Sequence, residues 1–362
     1  MKALDALLEQ GLSETVYSHA RAVVRFGGQV VYEGGNAPAN ARFDLASVTK
    51  VMSTTALLCR LAAAGRVDVQ APLRTVLPDA VVAASLADLA FHRSGLPAFV
   101  PYFAEVARKH PELFDDPPGG DRAAVRAGVV RRILATPAER PVGASAVYSD
   151  VGFLLLGEAI AKVAGRPLDQ VFTEEVARPL GLEARFRRLS ERPPGDDVIS
   201  TGALRPRPPA PGQEGQWECP QWRGCDGEVD DDNAWVLDGV AGHAGLFATA
   251  ADVGRFGQAV LDGWLVSPEG WARDRVTPAS TRTFGFDTPS DDAPSCGPRF
   301  GRKGPRAAIG HLGFTGTSLW IDLDRALVVA LLTNRVIFGR ENVQIRQFRP
   351  RFHEAVLDAL GV

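Results

Sequence analysis

The chain has 362 residues, of which 45% are hydrophobic and 23% charged, an ordinary balance for a folded domain that excludes disorder, collagen and extended coiled coil. Lys plus Arg number 40 against 43 Asp plus Glu, a formal net charge of -3, which argues against a surface built for nucleic-acid backbone. No run of 18 apolar residues occurs, so no membrane-spanning helix is expected.

The first twenty residues carry Asp5, Glu9 and Glu14 and have no continuous apolar core, unlike a secretory signal. A cytoplasmic location is the expectation, or a periplasmic one if the start is truncated. A short amphipathic helix over residues 2–11 leads into two β-rich runs, AVVRF and QVVYE, flanking Gly27-Gly28, the signature of a hairpin. After a Gly/Pro/Asn loop at residues 34–40, residues 47–64 are rich in Ala, Leu, Met and Thr and nearly uncharged. They predict a buried helix closed by Gly65. Further helices are expected over about 85–92, 101–109, 121–136, 149–164 and 167–178.

Residues 185–232 break this pattern, and so long an irregular stretch predicts a loop that shapes a pocket, with Trp217, Trp222 and Trp235 in or beside it. The acidic run at residues 228–232 reads as a solvated face rather than a metal site. Thr249 caps a helix over 250–261, strands follow at 318–323 and 326–333 around Asp324-Arg325, and a last helix covers 342–360. Strands lie at both ends of the chain and helices between them. The expected class is therefore α+β: one antiparallel sheet built from both termini and flanked by helices, with a mostly helical insertion. A single domain is expected, its α/β part from about 1–60 and 236–362 and its helical part from about 61–235. The four cysteines, Cys59, Cys219, Cys225 and Cys296, form no CxxC pair and are expected to be free thiols.

Lysines are scarce: Lys2, Lys50, Lys109, Lys162 and Lys303 are the whole set. One of them stands in Ser47-Val48-Thr49-Lys50, where a spacing of three puts hydroxyl and ammonium on one helical face. A lysine among apolar residues is expected to lose preference for its charged form and so to accept a proton from serine. A serine cap followed by a solvated lysine would show the same letters. Tyr148-Ser149-Asp150 opens an apolar helix. A lone tyrosine there is commonly a core residue, whereas beside an ammonium its pKa would fall and it could shuttle protons. His311-Leu312-Gly313-Phe314-Thr315-Gly316 leads into a strand, where glycines permit close approach and an N–H can face an oxyanion. A second His-x-Gly, His243-Ala244-Gly245, reads as a packing or loop-anchoring segment, because no strand hairpin follows it. The chain has no GxSxG, HExxH, GxxxxGK[ST] or helix-opening GxGxxG, and no cofactor or metal is expected.

Taken together, Ser-x-x-Lys, Tyr-Ser-Asx before a Leu-Leu-Gly helix, and His-x-Gly at a late strand resemble the ordered motifs of the serine β-lactamase and penicillin-binding-protein superfamily. The likeness is strongest to its class C-like branch, which also holds serine esterases, D-amino-acid peptidases and transesterases. FDLASVTKVM (43–52), SGLPAF (94–99), YSDVGFLLLGEAI (148–160), GHAGLFATAADVGRF (242–256) and HLGFTGTSLWIDL (311–323) carry it. The resemblance implies Ser47 as an acylated nucleophile, with Lys50 and Tyr148 handling its proton. It implies the N–H groups of Ser47 and Phe314 as an oxyanion hole, entered past Gly313. His311 stands in the place of a strand lysine and Asp150 in that of an asparagine. Both departures lower the expected affinity for anionic substrates, so the implied activity is hydrolysis of a small ester, amide or short peptide, with an esterase favoured. A non-catalytic member that binds a ligand or peptide in the same cleft is the alternative.

Overall fold

The computed structural model describes residues 1–114, 119–191, 193, 195–202, 227–274, 276–277, 280–301 and 308–362. Cys219, Cys225, Lys303, Trp217 and Trp222 lie outside the described residues. Helix α1 (Lys2–Ser13) precedes the hairpin of β1 (Ala20–Phe26) and β2 (Gln29–Gly34), turned by Gly27 and Gly28 at φ of 56° and 84°. Next come β3 (Phe43–Asp44), a tight helical turn at Ala46–Val48, a wide π-helical stretch at Lys50–Thr55, and α2 (Ala56–Ala63). The single helix expected over 47–64 is thus three helical geometries in series, an irregularity common beside functional groups.

The middle of the chain supplies α3 (Leu86–Ala90), α4 (Tyr102–Lys109), α5 (Arg122–Leu134), α6 (Asp150–Ala164), α7 (Leu168–Phe172), α8 (Arg178–Leu180), β4 (Arg185–Phe186) and α9 (Asp232–Val236). It closes with β5 (Leu246–Ala248), α10 (Ala250–Leu261), β6 (Ile309–Leu312), β7 (Ser318–Asp322), β8 (Leu327–Thr333) and α11 (Ile345–Leu360). Ser149 caps α6 by accepting from the Gly152 N–H, and Thr249 caps α10 in a reciprocal box with Asp252.

The main sheet has the order β2-β1-β8-β7-β6 and is antiparallel throughout. The N- and C-terminal strands meet where β1 pairs with β8, Ala20 opposite Thr333 and Phe26 opposite Leu327. Alternation divides the core. Val23, Val328 and Ala330 pack with Val253 and Phe256 of α10, while Ala22, Val24, Val329 and Leu331 pack with Leu4, Leu8, Phe348 and Phe352 of α1 and α11. Each buried Val, Leu or Phe among them contributes about 1.5–3 kcal/mol of transfer free energy, and the alanines less. The result is the α+β sandwich expected from the sequence.

Three features were not expected. β6 is an additional edge strand, so His311 lies on a strand rather than in a turn before one. A small sheet, β3-β5-β4, is made of strands of two or three residues, too short to show a period of two. β5 directly follows His243-Ala244-Gly245 as an unexpected three-residue strand, but it leads into α10 and no hairpin follows. Among the described residues, Cys59 and Cys296 are buried free thiols, and no helix is long and apolar enough to cross a membrane.

Candidate active site

The segment carrying Ser47 and Lys50 is held by residues 242–246. Lys50 Nζ donates to the His243 carbonyl at 3.2 Å, Thr54 Oγ1 to the Gly242 carbonyl at 2.6 Å, and the Leu246 N–H to Thr49 Oγ1 at 3.2 Å. This lacing needs Gly242: a Cβ there would meet the Phe153 carbonyl at 2.1 Å and the Gly157 Cα at 2.9 Å, so only glycine lets the segment press against α6. His243 is therefore an anchor, as its sequence suggested, but one whose backbone touches the lysine. Its ring is bonded to Asp231 at 2.9 Å. Burial opposes the Asp231 charge, yet the His243 ring and the Ala234 N–H outweigh it and hold this carboxyl well below the usual range.

Ser47, Lys50 and Tyr148 come together. Lys50 is fully buried, and its Nζ donates to Ser47 Oγ at 2.9 Å. Tyr148 joins them: Lys50 Nζ lies 4.8 Å from the centroid of its ring, and the phenol interacts with both Ser47 and Lys50. The fourth member is Asp150, whose Oδ1 lies 2.7 Å from Lys50 Nζ. This corrects two expectations. Burial alone would push the lysine toward neutrality, but the Asp150 carboxylate overrides it and raises the Lys50 pKa. Burial outweighs the ammonium at Tyr148, so the phenol is raised rather than lowered. Asp150 also lines the cleft, yet its nearest charge is the Lys50 ammonium rather than open space.

The loop bearing Tyr148 and Asp150 is fixed from below. The Asp150 N–H donates to the Ala98 carbonyl at 2.9 Å, Ser149 Oγ to the Pro97 carbonyl at 2.6 Å, and the Ser149 N–H to His92 Nδ1 at 3.0 Å. His92, at a positive φ of 57°, lies with its ring 4.7 Å from that of Tyr148, tilted by 39°. Sequence reasoning passed over it, although it stands two residues before SGLPAF. His92 and His311 are both buried and lie near Arg282 and Lys50; burial first, then these cations, keep both rings neutral. His311 Nδ1 donates to the Leu312 carbonyl at 2.9 Å, which leaves Nε2 as an acceptor.

Gly313 and Phe314 form the turn after β6. A Cβ on Gly313 would meet the Leu45 carbonyl at 2.5 Å, so this glycine brings the turn against the segment that carries Ser47. Phe314 is 49% exposed, its ring 4.4 Å from the Arg335 guanidinium. The cleft between these parts encloses about 700 Å³. Arg282, missed in the sequence, sits on its wall, 5.0 Å from the Tyr148 ring and 3.2 Å from Asp287. Asp230, Asp231 and Asp232 also line it. They are not a solvated run: Asp230 and Asp232 are buried, and Arg340 pairs with Asp232 at 2.9 Å. Trp235 is a core residue stacked 4.8 Å from Phe114. No cluster of three His, Cys, Asp or Glu side chains among the described residues is arranged to hold a metal ion.

An alcohol in contact with an ammonium and a phenol, beside a turn that packs on its own segment, can transfer acyl groups. Residues 4–349 match the Beta-lactamase family. An N-acetylmuramyl-L-alanine amidase of Bacillus subtilis (strain 168) is 30% identical over 328 residues, covering 84% of this chain and 71% of the relative. Among solved structures, EstCE1, a hydrolase with promiscuous acyltransferase activity, superposes with a TM-score of 0.65 at 21% identity, covering 96% of this chain and 98% of the other. The octameric penicillin-binding protein homologue from Pyrococcus abyssi gives 0.67 at 16% identity, covering 99% and 77%. The chain belongs to the Beta-lactamase family of serine hydrolases.

Proposed function

We propose that this hydrolase cleaves small esters or amides through an acyl-enzyme on Ser47. The observation that carries the reading is the hydrogen bond from Lys50 Nζ to Ser47 Oγ at 2.9 Å, with the Tyr148 ring 4.8 Å from the same Nζ, at the wall of the cleft. Ser47 Oγ attacks the carbonyl carbon, and its proton enters the Lys50–Tyr148 network. The oxyanion is received by the N–H groups of Ser47 and Phe314, neither of which donates to a main-chain acceptor among the described residues. Each donor is worth about 3 kcal/mol of barrier. The leaving group departs with a returned proton, and water repeats the sequence on the acyl-enzyme.

A neutral His311 in the place of a strand cation favours an uncharged ester. A second reading, an amide or peptide bearing a carboxylate, is favoured by Arg335, Arg346 and Arg349 on the cleft wall. The test is p-nitrophenyl ester turnover with intact-mass analysis. The wild type is expected to gain one acyl adduct, and Ser47→Ala to gain none and lose about 10³-fold or more in rate. Nitrocefin should turn over slowly. Equal ester turnover by the two proteins would remove Ser47 from the mechanism.

A further inference from the structure

The Asp150 carboxylate, not an amide, is what meets the buried lysine. It opens α6 with its own N–H fixed on the Ala98 carbonyl, and Ser149 caps the same turn, so the carboxylate is positioned by backbone. Its side chain is 20% exposed to the cleft, whereas the Lys50 side chain it touches at 2.7 Å is wholly enclosed. Lys50 in turn donates to Ser47 Oγ at 2.9 Å, so serine, lysine and aspartate stand in successive contact, the first step a hydrogen bond and the second an ion pair.

We propose that Asp150 is the terminal proton acceptor of this site, acting through Lys50, and rests as a carboxylate beside an ammonium until the serine attacks. As Ser47 Oγ bonds to the carbonyl carbon, its proton passes to Lys50 Nζ and a Lys50 proton passes to Asp150 Oδ1. The carbonyl π pair becomes the oxyanion. On collapse the bond from carbon to the leaving group breaks, the proton returns from Asp150 through Lys50 to the leaving atom, and the site recovers its original proton count. Asp150 is thus a positioning residue that also holds charge. The inference rests on Ser47 being the nucleophile.

The surroundings leave few other acceptors. An ammonium has no lone pair to take the serine proton, and burial keeps the Tyr148 phenol protonated. His92, from the segment after α3, and His311, from β6, face the same centre but are kept neutral by burial, Lys50 and Arg282. Arg282 is a cation. The His243 contact to Lys50 is through its carbonyl, while its ring is occupied by Asp231.

The test is the pH profile of kcat/KM on p-nitrophenyl acetate for wild type, Asp150→Asn and Asp150→Glu. In wild type, activity on the acid side is lost when the lysine–aspartate pair gains one further proton. In Asp150→Asn the lysine itself must be free of its proton, so the acid limb should move to higher pH by about one unit or more, with about a tenfold loss near pH 6 that recovers near pH 9. Asp150→Glu should keep the wild-type limb. An Asp150→Asn limb coinciding with wild type, or an Asp150→Glu limb displaced equally, would overturn the proposal. A fluorophosphonate separates the two readings. Ser47 labelled in all three proteins with coincident limbs defeats the Asp150 role alone, and no Ser47 label in wild type defeats both.

Discussion

The two walls of the cleft treat charge in opposite ways. On the wall built by the Ser47 segment and α6, the one cation, Lys50, is matched at 2.7 Å by Asp150 and is otherwise surrounded by a hydroxyl, a phenol and a carbonyl. On the wall built by α11 and the segment before it, Arg335, Arg346 and Arg349 have no ion-pair partner among the described residues. Arg349 is buried, donating to the Gly313 and Thr317 carbonyls at 2.8 Å each; burial and the neighbouring Arg335 and Arg346 push its pKa down to about 9. A matched charge keeps its energy inside the protein and can trade protons. An unmatched one is lowered in energy by an anion arriving from outside.

The largest effect is expected where the matched wall is broken from the lysine side. Lys50→Met leaves a carboxylate facing an apolar chain, and loss of one partner of such a pair costs about 3 kcal/mol, the low end of the range because Asp150 is partly exposed. The melting temperature should fall accordingly. The double variant Lys50→Met, Asp150→Asn should recover most of the stability and none of the turnover. Equal stability of Lys50→Met and wild type would mean that the pair is not coupled as its geometry implies.

A smaller effect follows from the two neutral imidazoles, of His92 and His311, that lie near Lys50. His92 and His311 bind a proton less readily folded than unfolded, so below about pH 6.5 the unfolded chain takes up protons that the native one does not, and stability falls as pH falls. Each ring adds a slope of about 1.4 kcal/mol per pH unit in that window. Denaturant unfolding between about pH 7 and pH 5 should therefore show a steep decline that His311→Gln makes shallower. An unchanged slope in the variant would show that His311 titrates normally in the native state.

Much of this contrast was hidden in the sequence, though the elements were not. The helix after Thr249 and the strands of β7 and β8 were legible because a cap and an apolar alternation are local patterns. The grouping of Ser47, Lys50 and Tyr148 was legible because they sit in ordered motifs, and the structure brings their side chains together. The charge state of Lys50 was not. It is decided by Asp150, a hundred residues away, against burial that pulls the other way. β6 and the small sheet were missed because strands of two to four residues carry too little periodicity, and the acidic run misled because its partner, Arg340, enters from another part of the chain. Nor did any local signal mark Arg282 as a neighbour of Tyr148.

The smallest expected effect sharpens the other half of the comparison. Arg346 lines the cleft but is exposed, so it can be removed without opening the core, unlike Arg349. If the unmatched wall serves substrates that carry a carboxylate, Arg346→Ala should lower the ratio of kcat/KM for the p-nitrophenyl half-ester of succinate to that for p-nitrophenyl butyrate by about tenfold, which is about 1.4 kcal/mol. Because the side chain is reached by solvent, high salt should compress the same ratio in the wild type and have little effect in the variant. A ratio indifferent to both the substitution and the salt would assign these arginines to holding the Gly313–Phe314 turn, as Arg349 and the Arg335 bond to the Phe314 carbonyl at 2.7 Å already do. The uncharged-ester reading would then stand alone.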